Sequence, residues 1–65
     1  MSEEKEIANI AELVRQEGET KRHEAKVSRV MGEAWLAREL DRRSAALLAA
    51  AAILERLADF RGKAA

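Results

Sequence analysis

The 65-residue sequence predicts an all-α fold, a helical hairpin whose short first helix folds onto the start of a long second one and which pairs with a second subunit. Three features carry this expectation. Alanine, leucine, glutamate and arginine dominate while proline, tyrosine and cysteine are absent, so helix has no competitor. From Ala37 onward, small residues recur every seven positions with leucine three places after them. Between two amphipathic stretches lies a polar segment containing Gly18.

The first helix is expected over about 3–17. Ser2 is a favourable N-cap, and Glu3, Glu4 and Glu6 place negative charge where the helix dipole favours it. Ile7, Ile10, Ala11 and Val14 follow the i, i+3, i+4, i+7 rule, and Leu13 widens the stripe. From Gln16 to Lys26, "QEGETKRHEAK", Ala25 is the only apolar side chain, and a helical glycine costs about 1 kcal/mol relative to alanine, so the turn is expected over about 18–21. Val27, Val30, Met31, Ala34 and Trp35 then form a second stripe. An antiparallel hairpin about this turn sets Val14 against Val27, Ile10 against Val30 or Met31, and Ile7 against Ala34 or Trp35.

The long helix is expected over about 22–61. Its heptad places Ala37, Ser44, Ala51 and Ala58 on one ridge and Leu40, Leu47 and Leu54 on the next. Small residues repeated in this way let two helix axes approach toward about 8 Å while the leucines interdigitate. This alanine-rich seam is expected to join two subunits into a homodimer, because a domain of this size buries little apolar surface alone and the chain has no cysteine or metal-ligand cluster to staple it. Gly62 is read as the C-terminal cap, ending the rod near Arg61.

A second arrangement puts the turn at Gly32. The two helices are then nearly equal in length, and Ala11, Gly18, Ala25 and Gly32 form another small-residue heptad. With the stretch "NIAELVR", Asn9 to Arg15, this arrangement resembles the Rop family of RNA-binding plasmid proteins. The resemblance implies a hairpin dimerised into a four-helix bundle that binds RNA. Lys21 stands where such a core has leucine, and Leu13 where that family presents an aromatic residue.

Charge and composition narrow the function. Net charge is zero, but residues 1–19 carry six acids and two bases, whereas residues 20–65 carry six acids and ten bases. Lys21, Arg22, Lys26, Arg29, Arg38 and Arg42 could follow a phosphate backbone. Glu24, Glu33, Glu39 and Asp41 are interleaved with them, however, and Glu39 with Arg43 has the favourable i, i+4 order of a solvent-facing pair. His23, the single histidine, has only Glu19 one turn away, so no metal or cofactor site is expected. No nucleophile with an adjacent base, phosphate-cradling loop or inward carboxylate pair is present, and a non-enzymatic role follows.

The longest uncharged apolar run, Ala45 to Leu54, is ten residues, about half of a membrane span. The acidic "MSEEKE" is unlike a secretory leader, so a cytoplasmic location is expected. Trp35, Ile53 and Phe60 are large apolar groups that project away from the leucine seam. Trp35 is assigned to the first helix, and Ile53 and Phe60 either pack on a second subunit or, with Trp35, form a partner-docking patch. The expected function is therefore protein binding, as a dimeric modulator or inhibitor of a larger protein, of the kind that phages and plasmids encode. The alternatives are the RNA binding implied by the resemblance, and a structural assembly subunit or designed bundle.

Overall fold

The computed structural model describes residues 2–64. Two helices, α1 (Glu3–Val30) and α2 (Ala34–Ala64), pack antiparallel as a hairpin. Ser2 occupies the N-cap of α1 with extended backbone, and its carbonyl accepts the first helical bond from the Glu6 amide (3.2 Å). Its hydroxyl makes no capping bond and is buried without a partner. The first turn therefore relies on Glu3, Glu4 and Glu6.

The expected turn at 18–21 is not there: α1 runs unbroken through Gly18 for 28 residues, so the short helix followed by a long one is replaced by two helices of nearly equal length. Good helix formers and local pairs carry the chain through its polar middle. Glu17 meets Lys21 at 3.3 Å, Lys21 meets Glu24 at 3.4 Å, and the Gln16 amide donates to Glu12. The chain reverses at Met31–Glu33 instead. Gly32 has φ +85°, its amide donates to the Arg29 carbonyl (3.2 Å), and the Glu33 amide donates to the Ser28 carbonyl (2.9 Å). This is a Schellman motif, whose left-handed residue glycine adopts without a Cβ clash. The Glu33 carbonyl then accepts the Ala37 amide at 3.0 Å and starts α2. At the other end, α2 continues through Gly62, which has no positive φ, so that glycine is not the expected cap.

Moving the turn changes what each stripe meets. The Ser44 hydroxyl donates to the Gly18 carbonyl (2.8 Å), and Gly18 lies against Leu47 and Leu48. This register sets Ala25 level with Leu40, Gly18 with Leu47, and Ala11 with Leu54. Ala11, Gly18 and Ala25 of α1 and Ala37, Ser44 and Ala51 of α2 are all buried, and they form one ridge-to-ridge contact. The small-residue side of the seam expected between subunits is thus covered by α1 of the same chain. The expected pairings of Val14 with Val27 and of Ile10 with Val30 or Met31 do not form, because Val14, Val27, Ile10 and Val30 all lie on α1 and Met31 is its C-cap. Trp35 becomes the second residue of α2, at the turn end and 66% exposed, so neither it nor Ala34 meets Ile7 at the far end of α1.

Among the described residues, three ion pairs bridge the helices along the hairpin: Arg61 with Glu3 (2.7 Å) at the open end, Arg15 with Glu55 (2.7 Å), and Arg29 with Asp41 nearer the turn. The molecule is one helix layer thick, with Cα extents of 50 × 16 × 10 Å.

Candidate interaction surface

Because the small residues occupy the line of contact, the positions on either side of it form the two broad faces of the layer. One face is polar and is laced by ion pairs. The Arg15 guanidinium donates to both Glu55 carboxylate oxygens, from Nε at 2.8 Å and from Nη2 at 2.7 Å. Hydrogen bonding from Arg15 holds the Glu55 carboxyl below its ordinary value, and the same bond raises Arg15. Arg22 follows Arg15 at heptad spacing on α1, and Arg29 follows Arg22.

The opposite face is apolar over its half farther from the turn. Ile7, Val14, Leu47 and Leu54 are half-buried beside the contact line. Outside them stand Ile10, Leu13 (65% exposed), Ile53 (63%), Leu57 and Phe60 (69%). Ala46 and Ala50, both exposed, lie among them and leave the helix surface low. Toward the turn a polar belt crosses this face. Its centre is Lys21, at the position next to the contact line, with Glu17 and Glu24 on either side. Hydrogen bonds to Glu17, then Glu24, raise the Lys21 ammonium above its ordinary value. Beyond the belt an open groove is lined by His23, Glu24, Val27, Ser28, Leu36 and Leu40.

The residues singled out from the sequence separate on this frame. Ile53 and Phe60 do not oppose the leucine row as expected. Leu57 fills the space between them and Leu54, so all four share the open apolar face with Leu47. Trp35 stands apart from them, near the turn. Of the seam, Ala37, Ser44 and Ala51 are spent within the hairpin, Leu40 is buried, and Leu47, Leu54 and Ala58 are partly open.

Among the six basic candidates, Lys21 belongs to the apolar face, whereas Arg22, Lys26, Arg29, Arg38 and Arg42 gather on the other side in the half nearer the turn. Arg29 is engaged by Asp41, and Arg42 by Glu39 at 3.7 Å, in place of the expected Glu39–Arg43 pair. His23 is exposed on α1 rather than in a turn, and no group of histidine, cysteine, aspartate or glutamate among the described residues is arranged to hold a metal. No helix among them is long and apolar enough to cross a membrane.

The chain matches no family model, no curated protein and no solved structure. The site therefore has to be read from its own chemistry. Sequence reasoning missed Ile10, Leu13 and Leu57 as surface residues, because the first two were spent on a hairpin partner. Their signal was the phase of Ala11, Gly18 and Ala25: once those three mark the contact line, Ile10 and Leu13 fall outside it.

Proposed function

We propose that this chain is a non-enzymatic protein-binding module that docks helix to helix through its apolar broad face. The observation that carries this reading is the cluster of Ile10, Leu13, Ile53, Leu57 and Phe60, all exposed on one side of a single helix layer. Contiguous exposed apolar surface of this kind marks interaction sites, and aromatic anchors such as Phe60 dominate their energetics. A photo-reactive amino acid placed at Leu13 or Phe60 should give protein adducts in host extract, whereas the same group at Arg38 should not. Adducts from Arg38 alone would overturn the reading.

Arg22, Lys26 and Arg38 support a second reading, nucleic-acid binding, because they lie on the polar face outside the ion pairs found among the described residues. The turn at Gly32 also gives the near-equal helices of the Rop-like alternative. Asp41 and Glu19 dilute this surface. Binding to a structured RNA that weakens steeply between low and moderate salt, and that is lost in Arg22→Ala/Lys26→Ala, would favour this reading over apolar docking.

A further inference from the structure

We infer that the apolar face is occupied by a second copy of this chain, two hairpins stacking broad face to broad face as a four-helix bundle. The inference rests on the reading of that face as a docking surface and names its occupant.

The hairpin by itself lacks the second layer on which a helical core is built. Its buried apolar residues are Ala11, Ala25, Ala37, Ala51 and Leu40, and no large side chain is fully enclosed among the described residues. Alanine contributes one methyl to burial, so most of the hydrophobic free energy in this sequence resides in side chains that the hairpin leaves outside. The surface area points the same way. A folded monomeric protein of 7.2 kDa exposes about 4,100 Å². This hairpin exposes 4888 Å². The excess matches the area of about 800 Å² that each partner contributes to a standard interface. Placing a second copy on the 50 × 16 Å face converts a single layer into two without covering the Arg15–Glu55 and Arg29–Asp41 pairs.

The face also suits its own copy. Leu47 and Leu54 are half-buried by the hairpin and need a second layer to close over them, and Ala46 and Ala50 allow a facing helix within the 8–10 Å of ordinary helix packing. The polar belt carries both signs, Lys21 between Glu17 and Glu24. A second belt brought against it by a two-fold axis offers carboxylates to the Lys21 of each copy, as an isologous contact allows. A foreign partner would need its own cation and carboxylates in this arrangement within an apolar strip.

The test uses the whole chain. Sedimentation equilibrium across a dilution series should give twice the 7.2 kDa chain mass at micromolar concentration, with a melting temperature that rises with concentration. Because the sequence has no cysteine, a single Ile53→Cys can be introduced and its alkylation rate followed. That rate should fall about tenfold or more as the chain associates, while Arg38→Cys reacts equally at all concentrations. Leu13→Glu should shift the mass toward monomer, and the concentration dependence of the unmodified chain keeps the test decisive even if this variant unfolds. A folded monomer at micromolar concentration, or protection of Arg38→Cys in place of Ile53→Cys, overturns the inference. If that monomer still forms adducts with another protein from Leu13 and Phe60, the docking reading stands without it. If it forms none, both fail.

Discussion

Replacing Gly18 with alanine sets two opposing effects against each other, and the structure decides between them. In an open helix the change gains about 1 kcal/mol from propensity. Here the new Cβ would lie 2.9 Å from both Cγ and Cδ2 of Leu48 and 3.3 Å from Cβ of Leu47. Rotating the end of Leu48 relieves the Cδ2 contact but not the Cγ contact, and Cβ of Leu47 moves only with its backbone. The helices must separate by some tenths of an ångström. Overpacking of this kind costs about 1–3 kcal/mol. The same separation stretches the 2.8 Å bond from the Ser44 hydroxyl to the Gly18 carbonyl, a contribution of about 1 kcal/mol. The balance is a net loss of about 1–3 kcal/mol after the propensity gain is subtracted. Urea denaturation followed by circular dichroism, at one fixed protein concentration, measures it.

Gly62→Ala is the control, since its Cβ would meet nothing within 4 Å and the variant should be neutral or slightly stabilised. Leu48→Ala introduced with Gly18→Ala should recover part of the loss, giving a coupling energy of opposite sign to the single costs. If Gly18→Ala stabilises the protein as Gly62→Ala does, the close approach of the helices at this level is wrong.

Gly32→Ala has open space around its Cβ but a φ of +85°, so it should cost about 1–2 kcal/mol from backbone strain alone, and Gly32→Asn should cost less; equal urea midpoints for all three would refute the left-handed turn. Ala51→Leu adds volume at a fully buried position facing α1 and should lower stability by about 1–3 kcal/mol in the same assay, whereas an unchanged midpoint would remove Ala51 from the contact line. The Glu55 carboxyl is held below its ordinary 4.5 by Arg15 in the folded protein, so its contribution is complete above the unfolded value and is lost as pH falls through the lowered folded one. The stability gap between the wild type and Glu55→Gln should therefore close on acidification, and a gap independent of pH between neutral and strongly acidic solution would show that the Arg15 pair does not form.

The all-helical character, the acidic start of α1 and the small-residue heptad of α2 were all legible, because each depends on local preference or on spacing along one helix. The turn position was not. A glycine in a helical stretch costs the same whether it ends the helix or admits a close neighbour, and which of the two applies at Gly18 depends on Leu47 and Leu48, some 30 residues away. Hydrophobicity misled for a related reason. The segment Gln16–Lys26 reads as a polar turn because its core residues, Gly18 and Ala25, have almost no side chain to register. Phase was the better guide, since Ala11, Gly18, Ala25 and Gly32 keep one seven-residue beat that matches Ala37, Ser44 and Ala51. Reading that beat moves the reversal to Gly32, and it also releases Ile10 and Leu13 from the hairpin contact to the surface where they are found.

The pairing of Glu3 with Arg61 brings the two strands of chain that lead out of the hairpin to within a side chain of each other. A pulling force applied through them acts across the helix axes rather than along them, so it loads the Glu3–Arg61 contact first, then the Ala11 layer, then Gly18, and reaches the Gly32 turn last. Such geometry opens like a zipper, one layer at a time at low force, where a pair of helices pulled from opposite ends would resist in shear with every layer loaded together.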